Sequence, residues 1–162
     1  MKKILFAASE AVPFMKTGGL ADVTGSLPKY FDKKNYDVRV ILPKYVCMEE
    51  RWKGQLHFLC HFYVNLSWRK QYVGIFETTY DGITYYLVDN EFYFAGNAPY
   101  NNIYEDVEKF AFFSKAVLEA LPYLDFCPDI IHCHDWQTGL LPVFLRTLYG
   151  DCLLYTSDAA DD

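Results

Sequence analysis

Lys16-Thr17-Gly18-Gly19-Leu20-Ala21-Asp22-Val23 follows the apolar run Ile4-Leu5-Phe6-Ala7-Ala8. The apolar run is short and nearly continuous, as in a strand buried on both faces. The glycine pair then predicts a turn, and the residues from Leu20 to about Phe31 predict a helix with Leu20, Val23, Leu27 and Phe31 on its inner side. Pro28 should bend or break that helix. A helix beginning in such a turn aims unpaired N–H groups and the positive end of its dipole at whatever occupies it. Gly18 and Gly19 keep Cβ atoms out of the way, and Lys16 adds a full positive charge. The set suits a phosphate, although an ordinary strand-to-helix connection has the same shape. Neither GxGxxG nor GxxxxGK[ST] is present.

Outward from the turn, Asp37 to Leu42 predicts a second strand, ended by Pro43. The order strand–helix–strand opens a parallel sheet. Gln55 to Leu66, Gln71 to Tyr80 and Ile83 to Val88 are rich in Phe, Tyr, Val and Thr, and Asp81-Gly82 signals a hairpin. These segments predict antiparallel strands or a β-rich excursion from the sheet. Asp89 to Asn102 predicts a loop. Glu105 to Leu121 predicts a helix with Val107, Phe110, Ala111, Ser114, Val117, Leu118 and Leu121 on one face. Asp129 to His132 predicts a further strand, and a helix should follow from Thr138 or Gly139 to Tyr149. In open α/β sheets ligands gather at the carboxyl ends of strands. Lys16 follows one such end and Asp135 another.

The chain has 162 residues, 52% of them hydrophobic and 19% aromatic, enough for one domain with a sizeable core. Its formal net charge of −6, without a basic stripe, argues against a nucleic-acid partner. No apolar run reaches membrane-spanning length, no signal peptide is visible, and a cytoplasmic protein is expected. Five cysteines without a CxxC pair suit a reducing compartment. Four ligands at metal-site spacing are not visible, so neither a metal nor a cofactor is expected.

Asp135 has two readings on residue type alone. It precedes a helix, where aspartate is a favoured cap, and it can equally serve a reaction as a carboxylate. His132 reads as packed or hydrogen-bonded. Glu105-Asp106 reads as solvated charge at a helix start. Tyr93, Phe94 and Tyr100 could stack on a sugar, with core packing the ordinary alternative.

Several stretches together resemble the bacterial glycogen synthases and plant starch synthases. They are Lys16 to Val23 with Leu27-Pro28, Val38-Arg39-Val40-Ile41-Leu42-Pro43, Phe110 to Ala116, and His132-Cys133-His134-Asp135-Trp136-Gln137-Thr138-Gly139-Leu140. The likeness covers nearly all of residues 2 to 149. It implies an α/β, Rossmann-like, mostly parallel sheet with helices on both faces, the N-terminal half of a two-domain GT-B glycosyltransferase. The activity implied is retaining transfer of glucose from ADP-glucose to the non-reducing end of an α-1,4-glucan such as glycogen. By the same resemblance Lys16, Gly18 and Gly19 lie at the donor diphosphate, Asp22 near the donor glucose, and Asp135 is catalytic. Trp136, Gln137 and His134 become candidate sugar contacts; some relatives carry histidine where Gln137 stands.

Residues 1–151 are expected to form one domain. Residues 152–162 resemble the in-frame translation of a sequencing adapter, with a genuine strand as the alternative, and a C-terminal nucleotide-sugar domain is expected to be missing. The chain alone is then expected to be inactive and prone to self-association. Two other readings stay open: a related glycosyltransferase using another donor, and a stand-alone glucan-binding or regulatory module.

Overall fold

The computed structural model describes residues 1–150. In chain order the elements are β1 (Lys2–Ala7), α1 (Gly19–Ser26), β2 (Tyr36–Pro43), α2 (Glu50–Lys53), β3 (His57–Leu66), β4 (Arg69–Tyr80), β5 (Ile83–Asp89), α3 (Ile103–Ala120), β6 (Ile130–Cys133) and α4 (Leu140–Leu148). Short 3-10 turns extend α1 and α3 and precede α4. The six strands form one sheet in the order β3-β4-β5-β2-β1-β6. β5, β2, β1 and β6 run parallel, while β3 and β4 are antiparallel additions. The β-rich middle of the chain is therefore the flank of the same sheet, and β5 joins the two parts. Asp81 and Gly82 both hold positive φ, 50° and 78°, the conformation a two-residue hairpin turn needs to match strand twist.

Alternation in β1 divides the interior. Leu5 and Ala7 face a core closed by α3 and α4, with Phe110, Phe113, Val117, Leu141 and Leu145. Ile4 and Phe6 face a second core closed by the segment after β1, through Ala11 and Phe14, and by Met48. Both sides of the strand are thus dry, which accounts for its unbroken apolar sequence.

Of the expected inner face of the first helix, Phe31 packs edge-on to Phe6, but the middle of that face is not the one buried. Val23 is 50% exposed and Leu27 37%, whereas Ala21, Thr24, Gly25 and Pro28 are buried. The cause is a close backbone seat. A Cβ on Gly25 would stand 2.4 Å from Val12 Cγ2 and 2.6 Å from the Val12 carbonyl oxygen. Only glycine lets the helix approach that far, and Thr24 completes the seat by donating to the Glu10 carbonyl at 2.6 Å. Small and polar residues win this face over larger apolar ones.

α3 begins on Asn102, whose side chain accepts from the Tyr104 and Glu105 N–H groups. Its expected face is right at Phe110, Ser114, Val117 and Leu118, but Val107 is half exposed. Asp106 and Lys109 turn inward instead, 5% and 3% exposed, so Asp106 is not solvated charge. Their ends lie 3.2 Å apart; Asp106 also accepts the Asn101 N–H and Lys109 donates to the Pro99 carbonyl at 2.8 Å. The pair ties the 95–102 loop to α3. Tyr93 and Phe94 are buried on Phe112 rather than presented to solvent. No helix among the described residues is long and apolar enough to cross a membrane. The proposed foreign tail, 152–162, lies outside the described residues.

Candidate active site

β1 and β6 are neighbours in parallel, with Ala7 opposite Cys133 and the His134 N–H donating to the Ala7 carbonyl at 3.0 Å. The Lys16 turn and Asp135 therefore leave the same edge of adjacent strands. After β1 the chain forms a small loop closed by an Ala11–Met15 bridge, which delivers Lys16 to the surface. Lys16 Nζ lies 2.9 Å from the Asp22 carboxylate in the first turn of α1, and both side chains are 54% exposed. Gly18 caps α1 without any side-chain hydrogen bond. Its φ of −158° is ordinary extended backbone, open to any residue. Among the described residues, nothing lies within 4 Å of a Cβ built on either Gly18 or Gly19. Neither glycine is required by conformation or packing.

Glu10, which the sequence reading passed over, anchors the turn from beneath. It is 2% exposed, and its Oε2 accepts from the Thr17 N–H at 3.1 Å and the Thr17 hydroxyl at 2.6 Å. An acidic residue set between Ser9 and Ala11, just past a buried strand, was the available signal. Ser9 receives the Tyr45 hydroxyl on its carbonyl at 2.6 Å and shares a 2.7 Å hydrogen bond with the Tyr100 hydroxyl. Burial, with further help from Glu10, pushes the Tyr100 phenol up to about 12, so it stays protonated near neutrality.

At the other strand end Asp135 has φ 65° and ψ −179°, a region few non-glycine residues enter. Its carboxylate accepts the Trp136 N–H at 2.7 Å and the side chain is exposed. Cap and outward-facing acid are thus combined in one residue. Trp136 is 48% exposed, with its ring at 87° to Phe110 and centroids 5.6 Å apart. Phe110 in turn meets Tyr100 at 5.9 Å. A chain of contacts from Trp136 through Phe110 and Tyr100 to Ser9 hence joins the two strand ends.

The other two candidate sugar contacts are buried. His134 packs against Phe6 and His132, with ring centroids 4.8 and 4.4 Å away, and Gln137 is 7% exposed. His134 Nε2 and Gln137 Oε1 lack a hydrogen-bond partner among the described residues. His132 stands edge-on to Phe6 at 4.8 Å but is exposed, so the packed role expected of it holds on one side only. The described residues contain no group of three or more His, Cys, Asp or Glu able to hold a metal ion.

Burial, and secondarily His132, depresses the His134 imidazole to about 4. In the unfolded chain the ring titrates at the ordinary value of about 6.5. Between these two values the unfolded state binds more protons, so stability is full above about pH 6.5 and falls as pH drops toward 4. We expect a loss on the order of 3 kcal/mol across this window. Urea unfolding at stepped pH checks it, with His134→Leu expected to flatten the slope.

The comparisons with known proteins agree on one family. A family model for the starch synthase catalytic domain matches residues 3–157. The chain is 70% identical over 146 residues to a glycogen synthase of Lachnoclostridium phytofermentans, covering 90% of this chain and 30% of that protein. It is 61% identical over 155 residues to a glycogen synthase of Lachnospira eligens, covering 96% and 32% respectively. Among solved structures, the catalytic domain of starch synthase IV from Arabidopsis thaliana, bound to ADP and acarbose, superposes with a TM-score of 0.80. Identity to it is 30%, over 93% of this chain and 31% of that one. The chain thus spans about 30% of the length of the curated relatives it matches.

Proposed function

Because this chain belongs to the family of starch synthase catalytic domains, we propose that it supplies the N-terminal, acceptor-side half of a retaining glucosyltransferase. The donor is ADP-glucose and the acceptor the non-reducing end of an α-1,4-glucan. Residues 1–151 make up this half, and the nucleotide is held chiefly by a second half beyond it.

Breaking the sugar–phosphate bond gathers negative charge on the leaving diphosphate and positive character on the anomeric carbon. Lys16 and the uncapped N–H groups at the start of α1 stabilise the diphosphate, since dipoles fixed in advance toward developing charge lower a barrier. Asp22 holds Lys16 over the turn until the donor arrives. Asp135 orients a hydroxyl or stabilises the cationic sugar, and Trp136 walls its side. Glu10 fixes the turn through Thr17 and touches no substrate.

The observation that carries this reading is the empty space at Gly18 and Gly19. Glycines demanded neither by φ nor by neighbours leave room for something outside the chain. The test is a chimaera joining residues 1–150 to the remaining length of the Lachnoclostridium relative. We expect it to add labelled glucose from ADP-glucose to glycogen, with the 162-residue chain alone as the inactive control. Gly18→Ala in the chimaera should raise KM for the donor while leaving the unfolding midpoint unchanged. A folded chimaera without transfer overturns the proposal.

A further inference from the structure

We propose that Thr138 is a positioning residue for glucosyl transfer, its buried hydroxyl holding the Asp135 carboxylate at the rim by pinning the peptide groups on either side of it. The inference rests on the catalytic reading of Asp135 above and names the side chain through which the fold serves it.

Asp135 needs such a device. Its φ of 65° and ψ of −179° lie where a non-glycine residue stays only if its surroundings over-determine the backbone. The carboxylate is a weak constraint by itself. It is exposed and accepts from the very next residue, the Trp136 N–H at 2.7 Å. A bond between neighbours travels with the chain and leaves the direction of the turn open.

Thr138 supplies the direction. It is fully buried, and its Oγ1 donates to the His134 carbonyl at 2.9 Å while lying 3.3 Å from the Asp135 carbonyl. The first carbonyl belongs to the peptide plane that sets φ of Asp135, the second to the plane that sets its ψ. One hydroxyl therefore bears on both torsions. Backbone bonds complete the hold: the His134 N–H donates to the Ala7 carbonyl at 3.0 Å and the Thr138 N–H to the Asp135 carbonyl at 3.3 Å. The 3-10 turn Trp136–Thr138 is itself seated on α3, where Ser114 Oγ lies 3.5 Å from the Gln137 carbonyl. The Cys133 thiol is the competing partner for the Thr138 hydroxyl. Burial pushes that thiol up to about 11, so near neutrality it stays uncharged and is a poorer acceptor than a carbonyl.

This is not the ordinary back-bond of a helical threonine. Thr147 shows that case in α4, donating at 2.9 Å to the Val143 carbonyl of the same helix. There the helix already fixes the torsions. The Thr138 bond instead leaves its short turn, passes the cap residue and grips the chain on the β6 side of Asp135. An acid misplaced by a fraction of an ångström loses rate rather than binding.

In the chimaera, Thr138→Val keeps the shape and removes the hydroxyl. We expect kcat to fall about 10- to 100-fold, with KM for ADP-glucose and for glycogen within about twofold of wild type. Thr138→Ser should restore most of the rate, and Thr147→Val should change nothing. In the 162-residue chain, where no transfer is needed, Thr138→Val should speed amide hydrogen exchange at residues 134–139 about tenfold, with β1 unchanged. The fall in unfolding midpoint it causes should shrink when Asp135→Gly is added, since glycine needs no holding there. An active chimaera whose kcat ignores Thr138→Val overturns the inference and leaves the transferase reading standing. A folded wild-type chimaera without transfer overturns that reading instead, and exchange and midpoints still decide whether Thr138 holds the turn. Unchanged exchange, equal midpoint losses in both backgrounds, or a rate that Thr138→Ser does not recover overturns the inference.

Discussion

Replacing Lys16 by alanine in the chimaera is expected to lower kcat for glucosyl transfer by about 100- to 1,000-fold. The ammonium is the only full positive charge on the Lys16–Val23 turn, and its 2.9 Å contact to Asp22 places it over the start of α1. Without it Asp22 is left facing a diphosphate unneutralised, so repulsion is added to lost attraction. Lys16→Arg should recover part of the rate, because charge survives while shape does not. Folding should be untouched, since the exposed ion pair contributes little to stability. Initial rates with labelled donor, beside urea unfolding of each variant, separate the two effects. An unaltered kcat in Lys16→Ala would remove the turn from the reaction.

The second large effect concerns stability. Asp106→Ala is expected to cost about 3–5 kcal/mol, because it strands the buried Lys109 ammonium. Among the described residues Lys109 then keeps only the Pro99 carbonyl as an acceptor, and the Asn101 N–H loses the carboxylate it donates to. The double replacement Asp106→Leu with Lys109→Met should be milder than the single one, since no charge is then left without a counterpart. Guanidinium midpoints of the three proteins decide this. Tyr100 is carried by the same loop, so Asp106→Ala should also loosen the Tyr100–Ser9 hydrogen bond before global unfolding. Hydrogen exchange at residues 95–102 would report it.

The strands were legible wherever the chain is simply apolar or turns on a glycine. β1, β2 and β5 follow from runs of Val, Ile, Leu and Tyr, and the β4–β5 turn from Asp81-Gly82. Whether the middle strands formed their own layer was not legible, because pairing partners depend on non-local register. The inner face of α1 was misread for a specific reason: hydrophobic periodicity assumes that large side chains set the contact. Here Gly25 and Thr24 set it by letting backbones meet. Charged residues raised the opposite difficulty. Glu10, Asp106 and Lys109 look like surface in a sequence, and only the fold reveals that each is itself buried with a partner in reach. At the candidate site, Lys16 and Asp135 were found from their positions after strands and from the resemblance. The burial of His134 and Gln137 was not foreseeable, since alternation ceases where β6 gives way to the turn.

The backbone at residue 135 has a broader consequence. With φ 65° and ψ −179° this station suits glycine, and holding aspartate there costs about 1–3 kcal/mol. Thermodynamic comfort and an outward acid pull in opposite directions at this single position. The cap on the Trp136 N–H returns part of that cost, and a benefit outside folding would account for the rest.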